Sequence, residues 1–235
     1  MKYIKSEEVR DADGAEDAVV ATAALQARME ELNDKIIELP AGFDPLEKAE
    51  IQLQISAIQV DLEQGEDAFE TARQAFDTFY AAESWDGLAQ ACNNMFMADQ
   101  PESLPALGQG IWVAVTFPEV DPELTVALLQ HVVNDTPADS DGGALAAAVA
   151  HYIADIRCEG KKHEDLTFFT NSLLATVARR HSNIEDQDAF SAWFKRLELD
   201  EPEKFLGRMR NVVDVLVQDE WWIDRDAIWA KLPVN

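Results

Sequence analysis

The fold is decided by residues 49–98, which read AEIQLQISAIQVDLEQGEDAFETARQAFDTFYAAESWDGLAQACNNMFMA. The first part of this stretch carries apolar residues at spacings of four, three and four, namely Ile51, Ile55, Ile58 and Leu62. This spacing places the four side chains on one face of an α-helix. Asp44 and Pro45 are a typical N-cap and first-turn proline for such a helix. We expect Gly65 to end it, because glycine adopts a positive φ without steric cost.

Two further helices follow within the same stretch. The next apolar row consists of Phe69, Ala72, Phe76 and Phe79. After Ser84, a plausible N-cap, the third row begins with Trp85, Leu88, Ala89 and Cys92. The link around Gln64 is so short that the first two helices must run antiparallel. Residues 49–98 are therefore predicted to form a helical hairpin followed by one more helix.

The pattern Trp85-x-x-Leu88-Ala89-x-x-Cys92 resembles the opening of a tetratricopeptide-type repeat. The step from Ile51 to Trp85 also equals the period of such repeats, which is about 34 residues. The resemblance covers roughly residues 49–117, and the later alanines and terminal proline of the repeat do not align. It implies an architecture of stacked antiparallel helix pairs, and it assigns no binding residues.

Helical signals continue outside this stretch with less regular spacing. A first helix is predicted over residues 18–39, and a final one over residues 224–231. Residues 111–117, IWVAVTF, fit either a helix or a strand. We predict a helix, because a lone strand would have no pairing partner in so helical a chain. The segment before it is expected to be interrupted by Pro101, Pro105, Gly108 and Gly110.

The predicted fold class is therefore all-α, with antiparallel helix pairs stacked as an irregular tetratricopeptide-like α-solenoid. Residues 1–17 have little to bury and are predicted to form a mobile acidic arm. Residues 18–235 are predicted to form a single all-helical domain, with a possible seam at the polar loop 134–143. This loop does not match an EF-hand, because aligning Gly142 with the conserved loop glycine of that motif places a proline and an alanine at its first and last ligand positions.

The chain carries 19 Lys and Arg against 45 Asp and Glu, a formal charge of -26. Such a surface repels nucleic-acid phosphates and anionic lipids, so we expect neither nucleic-acid nor membrane binding. The charge fits three interpretations: a device for solubility and halotolerance, an acidic face for a basic partner, or mimicry of nucleic acid. The first is favoured, because net charge mainly governs solubility and association. Two cysteines, no signal-peptide pattern and no long apolar run lead us to expect a cytoplasmic protein.

No pattern in the sequence predicts catalysis, a cofactor or a metal site. The four histidines form no HExxH pair, and no glycine-rich segment matches a phosphate loop. His151 and Asp155 lie one helical turn apart, which could orient a general base but is also an ordinary pair on a helix surface. Cys158 and His163 could form a nucleophile and its base, although Gly160 between them indicates a helix end. We therefore expect a protein that is not an enzyme.

Two groups of residues are candidates for binding a partner. The first group is aromatic and consists of Trp221, Trp222 and Trp229; adjacent tryptophans on a helix cannot both face one core, so one should reach a second surface. The alternative is a terminal helix that clamps the helix array. The second group is basic and consists of Arg157, Lys161, Lys162, Arg179 and Arg180, where an acidic segment could bind. Internal salt bridges are the alternative for these residues.

The function predicted from this architecture is a protein-interaction scaffold, adaptor or assembly factor. It would bind a peptide or helix of another protein in a groove between helix pairs, a role that suits stacked helices. One alternative is a cytoplasmic maturation chaperone for a metalloenzyme. Another is a helical enzyme with a site built from dispersed Asp, Glu and His residues.

Overall fold

Eleven α-helices and no strand occur in the part of the chain that the computed structural model describes, which is residues 2–4 and 15–231. The all-α prediction is confirmed. The helices are α1 (Ala15–Ile37), α2 (Pro45–Asp61), α3 (Gly65–Ala81), α4 (Trp85–Met97), α5 (Ser103–Thr116), α6 (Pro122–Asp135), α7 (Asp141–Arg157), α8 (Gly160–Ser182), α9 (Gln187–Arg196), α10 (Pro202–Val217) and α11 (Arg225–Trp229). None of these helices is both long enough and apolar enough to cross a bilayer.

The helices form two compact units, each built from segments that are distant in sequence. Within the described residues, unit 1 comprises 2–4, 15–23 and 111–213, and unit 2 comprises 24–110 and 214–231. The division falls inside α1, α5 and α10. Residues 134–143, where a seam is predicted, lie inside unit 1. Residues 1 and 5–14 of the predicted acidic arm lie outside the described residues, and the structure begins α1 at Ala15, earlier than expected.

Consecutive helices pack against each other within each unit. In unit 2, α3 packs against both α2 and α4, and in unit 1, α7 packs against both α6 and α8. The apolar row predicted for α2 faces the second half of α1, where Leu32 forms a buried cluster with Ile55 and Ile58. The expected cap of α2 is also present, since Asp44 Oδ1 accepts a hydrogen bond of 3.0 Å from the amide of Leu46.

The turn between α2 and α3 corrects the role predicted for Gly65. The left-handed residue that ends α2 is Glu63, with a φ of 59°, and Gly65 is the first residue of α3. The amide of Gln64 donates to the carbonyl of Gln59 at 2.8 Å, which is the bond of a Schellman turn. Gly65 is needed for another reason: a Cβ there would overlap the backbone carbonyl of Ala98 and the side chain of Gln100.

We predict opposite effects on stability for substitutions at these two positions. Glu63→Gly should raise the free energy of unfolding by about 0.5–1 kcal/mol, because it relieves the left-handed strain and removes a negative charge from a helix C-terminus. Gly65→Ala should lower it by about 1–3 kcal/mol, because the added methyl group meets backbone atoms that cannot move aside. Urea unfolding followed by circular dichroism measures both. A Glu63→Gly variant that is less stable than the wild type would contradict this account of the turn.

Helix α5 begins earlier than the sequence suggests. Residues 111–116 are helical, as predicted, but the helix starts at Ser103 and runs without a break through Pro105, Gly108 and Gly110. The expected interruption is therefore wrong. Pro105 is the third helical residue, where an amide proton would have no partner within the helix. Gly108 allows the close approach of Val217, whose side chain a Cβ would meet at 2.6 Å.

Trp85 and Ile51 do not occupy equivalent positions in their helices. Trp85 is the first residue of α4, whereas Ile51 is the seventh residue of α2. The two helices start at Pro45 and Trp85, so their starts lie further apart than one repeat period. The step from Ile51 to Trp85 therefore does not relate matching positions of two helix pairs, although the pairs themselves are present.

Candidate functional site

A groove of about 480 Å³ lies between α1, α2 and α3 in unit 2. Each helix contributes one face, because its lining residues are spaced by three or four positions. Gln64 lies just before the first turn of α3. They are Met29, Asn33 and Ile36 from α1, Lys48, Gln52, Ile55 and Gln59 from α2, and Gln64, Asp67, Thr71 and Gln74 on the side of α3. The lining is unusually rich in carboxamides.

Two of these carboxamides form a directional chain of hydrogen bonds. Gln52 is only 7% exposed, and its Nε2 donates to Oε1 of Gln74 at 2.9 Å. Gln74 in turn donates from Nε2 to the carboxylate of Glu70 at 3.2 Å. Each amide nitrogen therefore uses one of its two N–H groups within the protein. The carbonyl oxygen of Gln52, at the start of this series of hydrogen bonds, accepts no hydrogen bond from the described residues.

A third carboxamide in the groove wall has an unsatisfied atom. Oε1 of Gln59 is shielded from solvent and accepts no hydrogen bond from residues 2–4 or 15–231. Leaving a buried acceptor without a donor costs about 1–3 kcal/mol, so native proteins rarely do so without a water, ion or ligand partner. This atom marks a place in the groove where a donor would be favourable.

The groove also carries opposite charges that no ion pair among the described residues neutralises. Lys48 lies near the start of α2, and Asp67 lies in the first turns of α3, beside the end of α2 that bears Gln59. Neither side chain forms an ion pair with any residue of the described ranges. The rise of α2 from Lys48 to Gln59 is roughly 16 Å at ~1.5 Å per residue. The two ends of the groove thus differ in charge.

These groove residues were not among the candidates from the sequence. Gln52 and Gln59 share the i, i+3, i+4 spacing of Lys48 and Ile55, and that shared face was the only available signal. A polar face on a helix is normally solvated, so the pattern alone does not indicate a site. The groove exists because α1 and α3 pack on either side of α2.

Trp222, a predicted partner residue, packs inside unit 2. Trp221 and Trp222 lie in the non-helical link between α10 and α11, so the argument from adjacent positions on a helix does not apply. The Trp222 ring stands edge-on to Phe69 and Phe76, with centroids 6.4 and 5.7 Å away. The guanidinium of Arg73 lies 4.1 Å from the ring centroid, a cation–π contact.

Backbone bonds fasten the same segment to unit 2. The amide of Trp222 donates to Oε1 of the buried Gln109 at 2.7 Å, and the amide of Asp224 donates to the Tyr80 hydroxyl at 2.8 Å. An ion pair joins Lys231 to Glu83. Glu83 lies in the turn that follows α3, and the residues of α3 that receive this segment are Phe69, Arg73, Phe76 and Tyr80. At about 100° per residue they lie on the opposite side of α3 from its groove residues.

Trp221 and Trp229 are placed differently from Trp222. The guanidinium of Arg225 lies 3.8 Å from the ring centroid of Trp221 and also pairs with Asp214 at 3.1 Å. Trp229 is 56% exposed. The three tryptophans therefore share one segment of unit 2, and the predicted basic residues all belong to unit 1.

Two of those basic residues bind the carbonyl ends of helices. Arg157 donates to three carbonyls around the end of α5, with Nη1 2.8 Å from the Ala114 oxygen, Nη2 2.7 Å from that of Val115 and Nη1 3.2 Å from that of Phe117. Arg180 donates to the carbonyl of Val133 near the end of α6. These are acceptors that an α-helix leaves unpaired, and a cation there also complements the helix dipole.

The other three basic residues are more exposed. Lys161 pairs with Asp165 at 2.9 Å, one turn along α8. Lys162 pairs with Asp121 at 2.8 Å, and this hydrogen bond raises the pKa of the lysine. Arg179 donates from Nε to the carbonyl of Ala175. The two lysines thus make the internal salt bridges that were the alternative to partner binding.

Arg157→Ala is predicted to lower the free energy of unfolding by about 2 kcal/mol, because partly buried carbonyls would lose a charged donor. Arg179→Ala is the matched control; it removes the same side chain from an exposed position and should change stability by less than about 0.5 kcal/mol. Thermal unfolding of both variants provides the comparison. Equal effects of the two substitutions would show that Arg157 has no special role in ending α5.

The histidines and cysteines considered for chemistry are engaged in other ways. His151 Nδ1 lies 2.9 Å from the Thr170 hydroxyl, and Asp155 binds Nε2 of His163 at 3.0 Å. Burial raises the pKa of the Cys158 thiol, which opposes a role as nucleophile. Across residues 2–4 and 15–231, no group of three or more His, Cys, Asp or Glu could hold a metal ion.

One cluster in unit 1 has the distances of a catalytic triad. His181 Nδ1 lies 2.7 Å from the Ser182 hydroxyl, and its Nε2 lies 3.2 Å from Asp141 Oδ1. However, the Trp193 indole also donates to Nδ1 at 3.1 Å, and an indole N–H can only donate. This bond occupies the lone pair that a general base would use. The cluster therefore links α7, α8 and α9 and does not activate Ser182.

Comparison of the chain with protein-family models, with curated proteins and with solved structures found no match.

Proposed function

We propose that the protein is a protein-interaction module, a scaffold, adaptor or assembly factor, which holds an extended peptide segment of another protein in the groove between α1, α2 and α3. The observation that supports this proposal is a groove lined by carboxamides from three helices. A carboxamide both donates and accepts hydrogen bonds, as a peptide group does. Such a lining suits an extended main chain, whose N–H and C=O groups are not used internally.

The dimensions of the groove fit a short segment. The rise of α2 between Lys48 and Gln59 is roughly 16 Å. An extended chain advances by ~3.3 Å per residue, so about five residues would span this distance. Contacts over so short a segment favour a reversible complex over a permanent one.

The opposite side of α3 supports the same proposal. There, Trp222 and the bonds of residues 222–231 hold the helix in place through Phe69, Phe76 and Tyr80. A groove wall that is already ordered loses less conformational entropy when a ligand binds. The proposed binding surface is therefore preorganised by contacts that the ligand does not touch.

We also propose that roughly residues 49–117 form a tetratricopeptide-like array. Successive packed helices and the short links 62–64 and 82–84 support this classification. The starts of α2 and α4, at Pro45 and Trp85, lie further apart than the period of a tetratricopeptide repeat. The proposal therefore concerns the type of array and not a match of individual positions.

Selection from a random peptide library, with the full chain as bait, tests the proposed function. Selected peptides should bind the wild type and lose binding to Thr71→Trp, whose indole would fill the groove. The matched control is Ala57→Trp, which adds the same side chain to the exposed, opposite face of α2. If every selected peptide binds Thr71→Trp as well as the wild type, the groove is not the binding site and the proposal fails.

A further inference from the structure

We propose that the groove selects a segment with a lysine or arginine side chain at the Gln59 and Asp67 end and a carboxylate at the Lys48 end, separated by the length of the groove. This inference rests on the proposed peptide-binding function and specifies the ligand of the same groove. It depends on three features: an unpaired buried acceptor, two charges without ion-pair partners, and the charge of the unit as a whole.

The unpaired acceptor requires a donor from the ligand. Oε1 of Gln59 accepts no hydrogen bond from the described residues, and the carbonyl oxygen of Gln52 accepts none from them either, since the Gln52 side chain bonds through its nitrogen. A lysine ammonium or an arginine guanidinium supplies several donors and accepts nothing. Hydrogen bonds to a charged donor are also about twice as strong as those between neutral groups.

The charges of the groove give the ligand its direction. Asp67 lies at the same end as Gln59 and has no ion-pair partner among residues 15–231. A cation at this end would therefore meet both a carboxylate and an unpaired carbonyl oxygen. Lys48, at the other end, lacks an ion-pair partner within the same range and would attract a carboxylate. A ligand with charges in this arrangement complements the groove at both ends.

The overall charge of unit 2 favours the cation over the anion. Its segments carry six Lys and Arg against 22 Asp and Glu. This field attracts a basic segment and repels an acidic one. Loss of the ligand's cation should therefore weaken binding more than loss of its carboxylate.

Titration of the isotope-labelled full chain, followed by NMR, tests the inference with the synthetic peptide acetyl-Lys-Ala-Ser-Ala-Ser-Glu-amide. We expect shifts of amide signals along the groove, including that of Thr71. Norleucine in place of the lysine should raise the Kd about fivefold or more, and Gln in place of the Glu should raise it less. Asp67→Asn should have a similar effect to norleucine. Glu50→Gln, which removes a charge from the opposite face of α2, should change the Kd less than twofold.

The outcomes separate this inference from the proposed function. If the norleucine peptide binds the groove as tightly as the lysine peptide, selection of a cation is wrong while peptide binding stands. The same conclusion follows if Asp67→Asn and Glu50→Gln have equal effects, since only the net field would then matter. If none of these peptides shifts the groove signals while peptides selected from the random library bind the groove, this inference fails and the proposed function stands; if neither kind binds the groove, both proposals fail.

Gln59→Met provides a second test, because its effects on stability and binding should be opposite. The thioether has nearly the same shape and removes the unpaired oxygen, so the melting temperature should rise by about 2–4 °C. The Kd of the lysine peptide should rise several-fold at the same time. If a bound water satisfies Oε1, Gln59→Met should instead lower the melting temperature and leave the Kd unchanged, and that result would overturn the role of Gln59.

Discussion

Trp222→Ala is expected to lower the free energy of unfolding by about 3 kcal/mol, the largest effect of any single substitution considered. The ring packs edge-on against Phe69 and Phe76 and lies under the Arg73 guanidinium. Its removal would leave a cavity beside α3 and expose two aromatic rings. Urea unfolding followed by far-ultraviolet circular dichroism measures the loss without depending on tryptophan fluorescence.

Trp229→Ala is the matched control for this experiment. It removes the same side chain from the same segment, but Trp229 is 56% exposed and should contribute less than about 1 kcal/mol. Similar losses for the two variants would contradict the packing role of Trp222. The expected result also means that Trp222→Ala is a poor probe of partner binding, because any loss of binding would include loss of structure.

The free energy of unfolding should also decrease as the pH falls from about 6.5 towards 4. Burial lowers the pKa of His131 from 6.5 to about 4. Below pH 6.5 the unfolded chain therefore binds a proton that the folded chain does not, and the folded state loses stability as the pH falls. The full shift corresponds to about 3 kcal/mol, reached near pH 4. Burial lowers the pKa of His151 as well, which acts in the same direction.

His131→Gln separates this effect from the titration of the carboxylates. The variant keeps a polar side chain that does not titrate, so its stability should change less between pH 6.5 and 5, where most Asp and Glu remain ionised. Chemical denaturation at several pH values gives the slope for each protein. The role of His131 would be refuted if the wild type and His131→Gln had the same slope over this range.

The sequence predicted local features of the fold because each depended on neighbouring residues. The spacing of Ile51, Ile55 and Ile58 was sufficient to predict α2, and Asp44 with Pro45 was sufficient to predict its start, since caps and amphipathic faces act within a few residues. The roles of glycine and proline were harder to predict. Gly65 resembles a residue that ends a helix, but its role depends on neighbours that are distant in sequence. Pro105 resembles a residue that breaks a helix, but the helix accommodates it because it lies in the first turn.

The candidate site could not be found in the same way. Arg157, Arg180 and Trp222 were predicted to be binding residues, because the sequence does not show whether an arginine or tryptophan side chain is exposed or packed within the fold. In the structure, Arg157 and Arg180 bind helix ends, and Trp222 packs on α3. In contrast, Gln59 was not predicted to be a site residue, since a glutamine on a helix is normally solvated. Only the structure shows that its oxygen is buried without a donor.

The sequence by itself determined that the protein is helical, where several helices start, and that its surface is strongly acidic, because these properties follow from local spacing and composition. Only the tertiary structure decided that α1 and α3 flank α2 to form a groove. It also decided that Lys48 and Asp67 lie at the two ends of this groove without ion-pair partners among the described residues, and that Trp222 packs on the side of α3 opposite the groove. The physical reason is that burial, hydrogen bonding and ion pairing depend on residues brought together from distant parts of the chain.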